Sequence, residues 1–175
     1  LEQVADFYRY NLQQTGQDAS LEEELNLIHS YIYIMKVRFG EKFDFITDIQ
    51  YSNMQIRIPG MTLQPLVENC IKHGLAEVTK GGKIILRIFL KDSDLHITVE
   101  DNGCGFPEDI KEKLLNNESI KKTPYEDKSG VGLSNVISRL RMYYKTDTVF
   151  SIEKGKEGGT IFVIRINDVH NIANR

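Results

Sequence analysis

The chain has 175 residues, 41% of them hydrophobic, enough for one compact core or one domain with an appendage. Charged residues make up 27% and the net charge is −3, a balance that argues against a protein that coats nucleic acid or acidic membranes. No apolar run approaches the roughly 18 residues that cross a bilayer, and Cys70 and Cys104 lie outside any CxxC or zinc spacing, so both read as free thiols in a reducing compartment.

The chain opens at Leu1 rather than Met, so a fragment of something longer is expected. In "LEQVADFYRYNLQQ", Leu1, Val4, Ala5, Tyr8 and Leu12 share one helical face, and "TGQDAS" ends it. Ser20, with Glu23 three residues on, forms a capping box that opens a helix with Leu21, Leu25, Ile28, Ile32 and Met35 at helical spacing; Gly40 closes it. "KFDFITDI" alternates Phe43, Phe45, Thr47 and Ile49 like a half-buried strand. After Pro59 and Gly60, "LQPLVENCIKHGL" places Leu63, Leu66, Val67, Cys70 and Ile71 on one helical stripe.

"KIILRIFL" and "LHITVED" are two strands joined by the turn "KDSD", and "NGCGFPED" is a glycine-rich turn leading into a helix from Glu108 to Leu115. Residues 116–130 are polar, charged and turn-rich, which predicts a mobile loop. "VGLSNVISRLRMYY" is a helix with Leu133, Val136, Ile137 and Leu140 inward, and "TVFSIEKG" and "GTIFVIRI" form a closing hairpin around "KEGG". Strand pairs joined by tight turns and separated by helices predict an α+β sandwich, a mixed sheet covered on one face by helices.

Three stretches carry chemistry. The polar side of the Leu63–Leu75 helix holds Glu68, Asn69, Lys72 and His73. Asn offers a neutral oxygen to a hard cation such as magnesium, which keeps most of its waters. Lys and His offer donors to anionic oxygens, and Glu a proton acceptor. Equally, Glu68 and Lys72 are an ordinary i,i+4 ion pair.

In "VEDNGCGF", Asp101 closes a strand before Gly103 and Gly105. A carboxylate there can accept from an exocyclic amine such as adenine's, with no Cβ to hold a flat base away; alternatively Asn-Gly marks a hairpin turn. In "KSGVGLSN", Gly130 and Gly132 precede a helix whose free N–H groups suit a phosphate, or they form a simple hinge. No Walker loop occurs.

"LVENCIKHGL" resembles the N box of the Bergerat-fold, or GHKL, ATPase and kinase superfamily. "VEDNGCGF" resembles its first glycine box, "SGVGLSN" its second, and Gly158–Thr160 a further element near the adenine. The E-N-x-x-K-H form is similar to sensor histidine kinases, and the flanking helices to the LytS/YesM-type subfamily; the match runs from about residue 1 to 167.

The resemblance implies a Bergerat-type α/β sandwich, mainly antiparallel, that binds ATP and Mg2+. It implies Asn69 as the magnesium ligand, Glu68 orienting or deprotonating the attacking group, and Lys72 and His73 near the phosphates. It places Asp101, Gly103, Gly105 and Thr160 at the adenine. Gly130, Gly132, Leu133 and Asn135 fall at the lid and phosphates, with Arg139 a further phosphate-side candidate.

No "NPHFLFN"-like acceptor segment is present, and His29, His96 and His170 lack its context. The expectation is therefore residues 1–19 as the end of a helical dimerisation region and 20–175 as the catalytic and ATP-binding domain. This would be the cytoplasmic part of a membrane-anchored, homodimeric kinase, unable to phosphorylate itself alone. Its γ-phosphate would go to a histidine elsewhere and then to a response regulator, with no nucleic-acid partner and no membrane contact by this fragment. A GHKL ATPase with water as acceptor, or a nucleotide-binding scaffold without kinase activity, is the alternative.

Overall fold

The computed structural model describes residues 17–116, 129–156 and 158–167, with nothing assigned to the side chains of residues 129–131. The expected helix over residues 1–14 and nearly all of the expected loop lie outside the described residues.

The first long helix, α1 (Leu21–Phe39), starts as its capping box dictates: Ser20 Oγ accepts the Glu23 N–H at 3.1 Å, and Glu23 Oε2 accepts the Ser20 N–H at 2.7 Å. It stops at Gly40, whose φ of 59° is a conformation costly for residues with a Cβ. Strand β2 (Phe43–Ile49) follows, with Phe43 buried but Thr47 and Ile49 exposed, because this is an edge strand. Next come a three-residue strand, β3 (Arg57–Pro59), and helix α2 (Leu63–Asn69), which continues as a π-helical turn over Cys70–Gly74.

Strands β4 (Gly82–Lys91) and β5 (Asp94–Asp101), helices α3 (Glu108–Leu115) and α4 (Ser129–Tyr144), and strands β6 (Phe150–Gly155) and β7 (Gly158–Ile166) complete the chain. The five-stranded sheet has the order β2-β4-β5-β7-β6, parallel only between β2 and β4. It is the mixed, mainly antiparallel sheet that the sequence predicts. Alternate residues of its central strands, among them Ile84, Leu86, Ile97, Val99, Phe162 and Ile164, are buried in one core with the apolar stripes of α1, α2 and α4. Each such side chain contributes about 1.5–3 kcal/mol on burial. The other face carries cross-strand ion pairs, Arg87 with Glu100 at 2.5 Å and Arg165 with Asp94 at 2.7 Å.

A feature absent from the sequence reading is a second, two-stranded sheet. Strand β1 (Asp18–Ser20) pairs antiparallel with β3, bringing the entry to α1 beside the entry to α2. Three residues are too few to show a period-2 signal, so "TGQDAS" reads only as a break.

Candidate functional site

The start of α2 is held from a distance. Its N-cap residue, Thr62, makes no side-chain cap and instead donates its hydroxyl to the Pro59 carbonyl at 2.6 Å. The capping oxygens come from Glu24 on α1. Oε1 accepts the Met61 N–H at 2.6 Å, and Oε2 accepts those of Thr62 and Leu63 at 3.0 and 2.7 Å. Glu24 is fully buried, which raises its carboxyl above the ordinary range; the three N–H groups and the Arg139 charge oppose the shift. Arg139, offered by the sequence as a phosphate-side contact, is turned here instead: its Nη2 donates to the Met61 carbonyl at 2.6 Å.

Beyond Asn69 the helix widens. The Leu75 N–H reaches back five residues to the Cys70 carbonyl at 2.8 Å, a π turn of the kind that re-aims side chains at functional sites. The four polar residues therefore do not share one solvated face. Asn69 is buried at 9% exposure, while Lys72 is exposed and ion-paired with Glu68. His73 is half-buried, and its Nε2 has no hydrogen-bond partner among the described residues.

Strand β5 ends in Asp101, 2% exposed. Its Oδ1 accepts the Gly103 N–H at 2.8 Å, while Oδ2, also buried, has no partner of ordinary hydrogen-bond geometry among the described residues. Burial raises this carboxyl, and Gly103, the neighbouring Cys70 thiol and Thr160 oppose the rise. The end of the α2 π turn lies directly against it: a Cβ on Gly74 would stand 2.7 Å from Asp101 Cγ and both carboxylate oxygens.

Backbone fills the rest of the surroundings. A Cβ on Gly103 would meet the Gly74 carbonyl oxygen at 1.8 Å, and Gly159, at φ 57°, would meet the Asp101 carbonyl at 1.9 Å. Cys104 N–H bonds the Gly74 carbonyl, and Gly159 N–H the Gly103 carbonyl, both at 3.0 Å. The expected N box, first glycine box and Gly158–Thr160 element thus converge on one carboxylate, with Thr160 buried beside it. Gly105 adopts φ 84° in the turn that follows.

Asn102 went unnoticed in the sequence except as half of a turn signal. It accepts the Lys83 N–H at 2.7 Å and donates to the Gly81 carbonyl at 3.1 Å, so it ties the end of β5 to the start of β4.

The second glycine box differs from expectation in one respect. Gly130 and Gly132 do not precede the helix; they lie in the first turn of α4, and a Cβ on Gly132 would meet nothing within 4 Å. Leu133, carried over as a nucleotide contact, is 1% exposed, so its side chain fills the core; Asn135 is exposed.

Residues 56–170 match the family of histidine kinase-, DNA gyrase B- and HSP90-like ATPases, and residues 1–43 match a histidine kinase family. The chain belongs to this ATPase family. Within it, several similar proteins are sensor proteins or sensor-like kinases. The domain is 31% identical over 166 residues (95% of this chain) to an uncharacterized sensor-like histidine kinase of Staphylococcus epidermidis. It is 30% identical over 162 residues (92%) to the sensor protein LytS of Oceanobacillus iheyensis, and 32% over 159 residues (89%) to that of Staphylococcus saprophyticus. It spans 31%, 27% and 26% of their respective lengths.

Among solved structures, the catalytic domain of histidine kinase ThkA superposes with a TM-score of 0.62 at 21% identity, covering 87% of this chain and 95% of that one. That likeness confirms the fold. The buried Asp101 Oδ2 and the Cβ-free backbone around it fit an amine-bearing flat base. Among the described residues no cluster of His, Cys, Asp and Glu could hold a metal; a magnesium ion that keeps its waters and phosphate oxygens needs only a single protein oxygen.

Proposed function

We propose that this domain binds Mg-ATP and positions its γ-phosphate for transfer to a histidine outside the chain. The single observation that carries the reading is Asp101: a buried carboxylate of which one oxygen has no partner of ordinary hydrogen-bond geometry among the described residues, walled by glycine backbone from three separated motifs. Asp101 accepts from the adenine amine, with Gly103, Gly105 and Thr160 beside the ring. Asn69 gives its carbonyl oxygen to the magnesium ion, which when bound neutralises phosphate charge. Lys72 and His73 donate to phosphate oxygens, Gly130 and Gly132 offer first-turn N–H groups, and Asn135 adds a polar contact.

Glu68 orients the accepting imidazole or takes its proton. In the structure it is held by Lys72, so phosphate that draws Lys72 away would release it. The full protein is then a membrane-anchored homodimer that hands the phosphoryl group on to a response-regulator aspartate. None of the described helices is long and apolar enough to cross a membrane.

Titration calorimetry with Mg-ATP tests the site. Saturable binding to the 175-residue chain that is lost in Asp101→Asn and Asn69→Asp supports it; no heat with the unaltered chain overturns it. Multiple-turnover release of inorganic phosphate would identify water as the acceptor instead.

A further inference from the structure

Glu24 is a buried charged group that nothing above uses for nucleotide chemistry. It is fully buried, and both its oxygens are committed to the three N–H groups that open α2. The loop it grips is strained: Met61 holds φ 59° without being glycine. Its counter-charge, Arg139, comes from α4 and takes the Met61 carbonyl, so the same loop residue is held through N–H by α1 and through C=O by α4. Asn69 lies two turns further along the helix this loop starts. The far end of the same element lies against Asp101, but there the Cys104 N–H holds the Gly74 carbonyl, and Asp101 itself is carried by β5 between β4 and β7.

We propose that Glu24 is a positioning residue that, with Arg139, sets the placement of the start of α2 and so of Asn69 relative to the Asp101 carboxylate, which the sheet carries. The inference rests on the nucleotide reading of Asn69 and Asp101. It makes α1 a direct mechanical input to the metal end of the site: a tilt or shift of α1 moves the carboxylate, and the carboxylate carries the N-terminus of α2 with it. In Glu24→Gln the shape is kept, but an NH2 group replaces one acceptor and faces a backbone N–H, and the Arg139 charge loses its partner.

The test separates the two ends of the ligand. Affinities for adenosine and for Mg-ATP are measured by calorimetry on the unaltered chain, Glu24→Gln and Arg139→Gln. Disturbing a group that orients a metal ligand weakens metal binding by roughly 10–100-fold. The expected result is therefore a loss of that order for Mg-ATP in both variants, with adenosine affinity within about twofold of the unaltered chain. Equal losses for adenosine and Mg-ATP would reduce Glu24 to a general stabiliser and overturn the proposal, as would wild-type Mg-ATP affinity in both variants. If Glu24→Gln does not fold, Arg139→Gln decides by the same comparison. An unaltered chain that binds neither ligand sinks the nucleotide reading itself, an outcome distinct from variants that bind as the unaltered chain does.

Discussion

Replacing Gly74 by Ala puts one methyl group where the N-box helix touches Asp101. The new Cβ would lie 2.7 Å from Asp101 Cγ, Oδ1 and Oδ2, whereas ordinary contact begins at 3.4 Å, so about 0.7 Å must be found. Gly74 is not among the positive-φ residues, so its backbone accepts alanine, and the helical turn gains about 0.5–1 kcal/mol from the exchange. The carboxylate cannot yield freely: it is 2% exposed, and Oδ1 holds the Gly103 N–H at 2.8 Å. Overpacking of this kind costs about 1–3 kcal/mol. The net effect is a destabilisation of up to about 2.5 kcal/mol, a fall in Tm of up to about 10 °C for a chain of this size. The larger effect falls on the nucleotide. A carboxylate rotated off the adenine amine forfeits a charged hydrogen bond of about 1.5–3 kcal/mol, or roughly ten- to a hundredfold in Kd. Calorimetry with Mg-ADP and a thermal melt read both quantities. A Gly74→Ala chain with unaltered Kd would refute the proposed role of Asp101 in holding the base.

Three further changes probe separate parts of the domain. Burial raises the Asp101 carboxyl, so the folded state binds more protons than the unfolded one above the ordinary value of 3.8, and stability falls as pH climbs through the raised value. Asp101→Asn removes that dependence. Its stability relative to the unaltered chain should rise with pH across that window in urea melts while adenosine binding weakens; a pH-independent difference would contradict the assignment. Gly132→Ala adds a Cβ in open space within the first turn of α4 and should stabilise the ligand-free chain by about 0.5–1 kcal/mol. The same variant should bind Mg-ATP less tightly, and unchanged affinity would remove Gly132 from the phosphate cradle. Ser20→Ala deletes the N-cap acceptor of α1 and should lower unfolding free energy by about 0.5–2 kcal/mol; a value indistinguishable from zero would mean the capping box contributes nothing.

Residue patterns alone determined the parts whose codes are local. The Ser20–Glu23 box and Gly40 bounded α1, alternation marked the strands from β4 to β7, and α3 runs from Glu108 to Leu115 as expected. The three glycine-bearing motifs and the E-N-x-x-K-H box pointed to the family, because each needs particular residue types at short, fixed spacing. What only the tertiary structure decided involves groups far apart in the chain or backbone that departs from ideal geometry. An α-helical projection cannot foresee that the helix widens after Asn69, nor that Asn69 is buried while Lys72 stays in solvent. Glu24, in a sequence of three consecutive glutamates, has nothing local to mark it as the cap of a helix beginning at Leu63. Arg139, which spacing offers as a phosphate contact, donates instead to the Met61 carbonyl, because that turn and Glu24 present the acceptor and the negative charge a half-buried guanidinium requires. Spacing specifies which groups a site has; the packing of α1, α2, α4 and the sheet specifies which of them face one another.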